Sequence, residues 1–217
     1  MLNTDEVKRR LHRFDGTQSD GIVIVPNPFE HDATQIGRTS IDLRLGRWFS
    51  MLQQTKTSAI DFGVPRNENA FSASEGRSSF VPFGHPFVLH PGRFVLASTF
   101  EWLSLPNDVA AYISGKSALG RMGLIIETAA GIHPGFSGSI TLELFNCGEV
   151  PIRIYPGMPV CQLFFHQVDG AVSKENSAKG TKFGGRRKPA FGSYKPDDAL
   201  SSMLDVAAID QDLFRRS

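Results

Sequence analysis

The chain is short of most features that assign a protein to a class at once. Its 217 residues hold only two cysteines, Cys147 and Cys161. These form neither a disulfide framework nor a metal-ligand spacing. Unpaired thiols in strand-like segments point to a reducing compartment, so a cytoplasmic location is expected. No apolar run reaches membrane-spanning length, which excludes a membrane from the expected partners. The N-terminal MLNTDEVKRR lacks the apolar core of a signal peptide. Net charge is also nearly missing: 23 Lys and Arg against 22 Asp and Glu leave a formal +1. That is too little to hold nucleic acid by bulk electrostatics. Helices do not alternate with strands as a doubly wound sheet requires, and no internal repeat is present.

A hydrophobic content of 41% and a charged content of 21% describe an ordinary globular protein. Residues 4–14 read as a short amphipathic helix. Asn3 is placed to cap it, with Glu6 as capping-box partner. Val7, Leu11 and Phe14 share the apolar face, and Lys8, Arg9, Arg10 and Arg13 form the solvated one. Residues 22–25 are a β-branched strand stopped by Pro26. Residues 40–46 alternate polar and apolar as a half-buried strand does. Residues 53–80 read as a long surface excursion. Short strands then follow at 87–90, 93–104, 109–114, 124–128, 138–146, 150–155 and 159–168, broken by Pro-Gly and Pro-Asn turns. The fold class is mainly β, a sandwich or barrel with a short N-terminal helix. From Lys174 to Lys188 six Lys and Arg face one acid, Glu175, among glycines. This reads as a mobile segment when free. The chain is therefore divided into a β domain over 1–170 and a basic, Gly-containing tail over 171–217. The tail's 197–214 stretch carries Leu200, Met203, Leu204 and Ala207 on one helical face.

The polar residues of interest cluster between Gly115 and Asn146. Residues 116–122 lack strand alternation and suit a helical turn. Ser117 and Arg121 then share a face, and Lys116 stands near the turn's N-terminus, where phosphate is favoured. The plainer reading, a surface turn with an exposed lysine, fits the spacing at least as well. The triplet Gly115-Lys116-Ser117 is not a Walker loop, since Ala110 stands where the first glycine belongs. Glu143 shares a strand face with Thr141 and Phe145. It reads either as a base or proton shuttle beside an aromatic, or as a solvated side chain. His133 sits in the turn GIHPG and reads as exposed. Cys147 and Cys161 read as structurally buried thiols. In the tail, Lys182, Arg186 and Arg187 among glycines, followed by Phe191-Gly192-Ser193, suit a lid over a polyphosphate.

With these residues in view, the chain resembles the dCTP deaminase branch of the trimeric dUTP pyrophosphatase superfamily. The resemblance runs from the N-terminal helix to about residue 195 and is weakest over 50–85. It is carried by TSIDLRLG at 39–46, by GKSALGRMGL at 115–124, by PGFSG at 134–138 and by ITLELFN at 140–146. It implies a distorted β-barrel of the dUTP pyrophosphatase-like kind, a homotrimer with active sites between subunits, and deamination of dCTP to dUTP without catalytic zinc. The H-x-E and P-C-x-x-C pair of zinc deaminases is indeed absent. On this resemblance Glu143 activates water, Ser117 helps hold it, and Arg121 orients the glutamate. Lys116, Ala118, Ala129, His133, Thr141, Lys182 and Arg186 fall at nucleotide-binding positions. Mg²⁺ would bind through the triphosphate and water.

The departures from that pattern concern nucleotide contacts. Lys116 is a point charge where the family has an Arg fork. Ala118 replaces a serine, His133 an aspartate and Arg186 a glutamine, and Glu175 occupies the region of a tyrosine. The final Phe191-Gly192-Ser193 is similar to the last motif of dUTP pyrophosphatases. Two alternatives therefore stand beside the deaminase: a bifunctional enzyme that deaminates and then releases pyrophosphate, and a non-catalytic nucleotide sensor on the same fold.

Overall fold

A computed structural model describes residues 1–11, 21–52, 76–127, 131–170, 185–189, 191 and 202–203. The chain divides into two units, Met1–Met51 with Ser78–Ala190, and Leu52–Arg77 with Phe191–Ser217. In the second, Ser202 and Met203 are helical; the rest of the expected 197–214 helix lies outside the described residues.

Helix α1 spans Thr4–Arg10, and the Asn3 side chain accepts from the Glu6 amide at 2.8 Å. The capping box is only half made. The Glu6 carboxylate turns to Arg9 and Arg10 instead, taking Arg10 Nε at 2.7 Å. Arg10 also reaches Asp108 at 3.3 Å, so the basic face expected to be solvated is partly tied to the rest of the unit. The helix closes at Leu11; Arg13 and Phe14 are not among the described residues.

The strands come in the order expected. They are β1 (Val23–Val25), β2 (Ser40–Leu52), β3 (Gly76–Phe80), β4 (Phe87–Leu89), β5 (Phe94–Thr99), β6 (Trp102–Ser104), β7 (Val109–Gly115), β8 (Leu124–Glu127), β9 (Ser137–Gly138), β10 (Thr141–Asn146), β11 (Ile152–Ile154) and β12 (Pro159–Gln167). Helix α2 (Pro28–His31) and a 3-10 turn at Ala33–Gln35 lie between β1 and β2, and one helical turn, α3 (Ser117–Gly120), between β7 and β8. The main sheet runs β7-β12-β2-β5-β10-β8, with β3 paired to β2. A smaller sheet runs β1-β6-β9, and β11 pairs with β4.

The two ends of the main sheet approach each other: a Cβ on Gly115 of β7 would stand 2.8 Å from the Ile126 carbonyl of β8. This gives a distorted, nearly closed barrel. Gly46 allows a similar approach inside β2, where a Cβ would meet the Ser98 carbonyl at 2.7 Å. Inward-pointing Leu43, Leu45, Phe49, Leu142, Leu144, Leu163 and Phe165 are fully buried and fill the interior. Removing such side chains from water is the main favourable term in this fold.

Three expectations need correction. The single strand 93–104 is broken at Phe100–Glu101, because Glu101 turns inward, 1% exposed, to accept from the Arg44 amide at 2.8 Å and Arg44 Nε at 2.7 Å. The strand 138–146 is two strands. Between them the Ser139 amide donates to Arg186 and the Ile140 amide to Thr99 Oγ1, bonds that a continuous ladder would forbid. Residues 76–80 belong to β3 and not to a loop; Ser78 there meets Ser50 of β2 at 3.2 Å. Among the described residues no helix is long and apolar enough to cross a membrane.

Candidate active site

The turn that follows β7 is made possible by Gly115. With no side chain at that point, the strand end packs on Ile126 and the chain folds back at once into α3. The Arg121 amide donates to the Ser117 carbonyl at 3.0 Å, so the two residues stand one turn apart, as their spacing predicts. Ser117, Ala118 and Arg121 are all exposed. Among the described residues, no side-chain hydrogen bond or ion pair engages Ser117 or Arg121.

Lys116 is placed differently from the expectation. It is the N-cap of α3, yet its side chain does not cap the turn. The chain runs back across β12 to β2, where Nζ lies 2.5 Å from Asp42 Oδ2. The other Asp42 oxygen accepts from Gln162 Nε2 at 3.3 Å, and Gln162 also reaches Ser40 Oγ at 3.5 Å. The pair is half-buried, with side-chain exposures of 28% and 14%. The cation expected to wait for phosphate is thus committed to a carboxylate in the free chain.

On β10 the burial alternates, with Thr141, Glu143 and Phe145 outward and Leu142, Leu144 and Asn146 inward. Glu143 is exposed and stands in register with Leu96 of β5 on one side and Glu127 of β8 on the other. One step along, Phe145 pairs with Phe94 and Ile125. Those three side chains are 36–38% exposed and form an apolar row across three strands. The direct Arg121–Glu143 contact implied by the resemblance is not made within one chain.

Residues 185–189 of the tail lie along β9. The Gly185 amide donates to the Ser137 carbonyl at 2.6 Å, and the Ser139 amide to the Arg186 carbonyl at 3.0 Å. Arg187 then stacks over Trp102, 5.2 Å from the ring centre, and Lys188 over Trp48 at 3.9 Å. Cations so placed are attracted by the ring quadrupole. Pro189 is buried, and its carbonyl accepts from Ser50 Oγ at 3.4 Å. Ser50 pairs in register with Leu96, which pairs with Glu143, so Pro189 lies on the sheet face that carries Glu143. A cavity of about 660 Å³ is lined by Val25, Trp102 and residues 185–189, Arg186 included. Ser117, Arg121 and Glu143 do not line it.

His133 is exposed, and its carbonyl closes a turn with the Phe136 amide at 3.2 Å. Thr141 is half-buried opposite Ser98. Ala129 and Lys182 lie outside the described residues, as does Glu175. The two thiols part company. Burial pushes the Cys161 thiol far up from its ordinary value. Cys147, expected inside, is exposed just past the end of β10, with Sγ donating to the Gly123 carbonyl at 3.3 Å. Three residues of the region escaped the sequence reading: Asp42, Glu101 and Glu127. For Glu101 a signal existed, a lone acid inside an apolar run. The partners of the other two depend on strand pairing. Among the described residues no three His, Cys, Asp or Glu side chains converge as a metal site would require.

Residues 2–168 match the family described as DCD: dCTP deaminase-like. The "dCTP deaminase, dUMP-forming" of Thermobifida fusca (strain YX) is 42% identical over 164 residues, covering 73% of this chain and 80% of that protein. The protein of the same description from Nanoarchaeum equitans (strain Kin4-M) is 35% identical over 213 residues, 94% of this chain and 97% of its own. Among solved structures, the 2'-deoxycytidine 5'-triphosphate deaminase from Agrobacterium tumefaciens superposes with a TM-score of 0.55 at 20% identity. That match covers 82% of this chain and 51% of the other, and it supports the fold.

Proposed function

Since the chain belongs to the dCTP deaminase-like family, we propose that it hydrolyses the 4-amino group of dCTP, with Glu143 as the group that moves the protons. The observation that carries this reading is the placement of Glu143: an exposed carboxylate on β10 at the barrel surface that, among the described residues, makes no ion pair or side-chain hydrogen bond. Water attacks C4 of the cytosine as Glu143 takes one of its protons, and a C–O bond forms. The proton then passes to the departing nitrogen, the C–N bond breaks and ammonia leaves, while the remaining hydroxyl proton moves to N3 and C4 becomes the keto carbon of uracil. The sum is dCTP + H₂O → dUTP + NH₃. A positioned base of this kind contributes on the order of 10²–10⁴ in rate.

Ser117 and Arg121 complete the site as water-holding and glutamate-orienting groups. Because they do not reach Glu143 within one chain, we assign them to a neighbouring subunit. The exposed row Phe94–Phe145–Ile125 beside Glu143 supports an interface at this face. A homotrimer is the assembly that the resemblance implies. Lys116, Ala118, Ala129, His133, Thr141, Lys182 and Arg186 are assigned to the nucleotide, with Lys116 changing its partner from Asp42 to phosphate. Mg²⁺ enters with the triphosphate, held by phosphate oxygens and water. The chemistry at C4 is assigned to Glu143, with no zinc. Free thiols favour the cytoplasm.

The relatives favour a second product. Both are dUMP-forming, and the tail's Phe191-Gly192-Ser193 points the same way. The bifunctional sum is dCTP + 2 H₂O → dUMP + NH₃ + pyrophosphate.

One experiment separates these readings. Protein and Mg²⁺ are incubated with dCTP, dUTP or dCMP, and products are resolved by chromatography, with Glu143→Gln and Arg121→Ala alongside. The parent is expected to convert dCTP, and each variant to be at least about 10²-fold slower. The product's phosphate count decides between dUTP and dUMP. Mixing the two variants after dissociation should restore part of the activity, because mixed assemblies contain sites with both groups intact. Recovery of nothing rules out sites shared between subunits, and full activity in Glu143→Gln rules out the glutamate.

A further inference from the structure

Glu127 faces Glu143 directly across the β8–β10 ladder, and both side chains are exposed on the outer face. Among the described residues neither carboxylate has an ion pair or a side-chain hydrogen bond. Directly opposed residues on antiparallel strands hold their Cβ atoms about 4.5–5.5 Å apart, and like charges so placed destabilise the sheet. The chain retains two carboxylates side by side where one is needed to activate water. The second therefore stands within reach of whatever occupies the first.

We infer that Glu127 is a specificity-determining residue that reads the 4-substituent of the pyrimidine. The inference rests on the deaminase reading of Glu143. An ionised carboxylate only accepts hydrogen bonds. The 4-amino group of cytosine donates, which is why Glu and Asp pair with it elsewhere, whereas the 4-oxo group of uracil only accepts. Glu127 thus receives an N–H from the substrate while Glu143 handles the water. Once C4 carries oxygen, the same carboxylate meets an acceptor, and the attraction becomes repulsion. A single buried polar contact left unpaired in this way is worth roughly ten- to a hundredfold in affinity. One side chain then serves both to select the amino base and to expel the keto product.

The test uses binding, so that turnover does not interfere. Full-length Glu143→Gln is titrated by calorimetry with the α,β-imido analogues of dCTP and dUTP in the presence of Mg²⁺. The same titrations are made with Glu127→Gln/Glu143→Gln and Glu127→Asp/Glu143→Gln. An amide both donates and accepts, so the glutamine variant should lose preference for the cytosine nucleotide by roughly ten- to a hundredfold, mainly through tighter uracil binding. The aspartate variant, still an acceptor, should keep most of the preference. A preference unchanged in the glutamine variant, or both affinities falling together, overturns the assignment of Glu127 and leaves Glu143 untouched. Binding of neither analogue to Glu143→Gln alone overturns the deaminase reading, and the role of Glu127 with it.

Discussion

Replacing Glu101 by alanine should unfold this protein well below the temperature of the parent, and the size of the effect follows from its surroundings. The carboxylate is 1% exposed and accepts three hydrogen bonds: from the Arg44 amide at 2.8 Å, from Arg44 Nε at 2.7 Å and from Gln35 Nε2 at 3.3 Å. Gln35 Nε2 keeps a second acceptor, the Asp42 carbonyl at 2.8 Å, so it survives the loss. Two donors on Arg44 do not. A buried donor left without an acceptor costs about 1–3 kcal/mol, and breaking a buried ion pair from one side about 3–5. The Arg44 side chain is 20% exposed and regains some water, which favours the lower end, near 3 kcal/mol. For a chain of this size each kcal/mol moves the midpoint by about 2–4 °C, giving a drop of about 6–12 °C. Glutamine keeps the shape and an acceptor, and should lose about 1–2 kcal/mol. Urea unfolding at a fixed protein concentration, read as a midpoint shift at constant m, measures both. A loss under about 1 kcal/mol for alanine, or a glutamine no better than alanine, would refute the view that this carboxylate pins β2 to the corner between β5 and β6.

Three further outcomes are expected. Gly115→Ala drives a Cβ to 2.8 Å from the Ile126 carbonyl and should cost about 1–3 kcal/mol, with activity falling because α3 starts at the next turn; an unchanged melting point would contradict the close approach. Glu6 is held below its ordinary value of 4.5 by the hydrogen bond from Arg10, so the folded state favours its charged form. Its contribution is full above that value and is lost as pH falls through the lowered folded value. Glu6→Gln should therefore flatten the fall of the melting point on acidification, and identical pH profiles for variant and parent would exclude the assignment. A disulfide reagent should label Cys147 in the native protein and Cys161 only after unfolding; equal rates at both would contradict their placement.

Local rules were legible in the sequence wherever one element obeyed them alone. Asn3 caps α1, the alternation of TLELFN puts Glu143 outside, and Ser117 and Arg121 stand one turn apart, each as its spacing predicts. What failed was anything decided by competition between side chains, whether one turn away or distant in sequence. Glu6 was drawn from the cap to the arginines, and Glu101 left its strand for Arg44. Lys116 found Asp42 across two strands. The facing of Glu127 and Glu143 is a matter of register, and register is fixed by packing of the whole face. Cys147 lies one residue past the end of β10, where alternation no longer decides burial.

The tail's anchorage has a practical consequence. The chain's only two tryptophans, Trp48 and Trp102, are the two platforms beneath Lys188 and Arg187. Indole emission responds to a cation on the ring face and to water, so both indole fluorophores of the protein, excited selectively over its three tyrosines, report on the same short segment. Lifting that segment changes the colour and yield of the whole signal, with no bystander tryptophan to dilute it. The molecule carries an intrinsic optical gauge of its own tail, readable in a stopped-flow instrument without labels or substitutions.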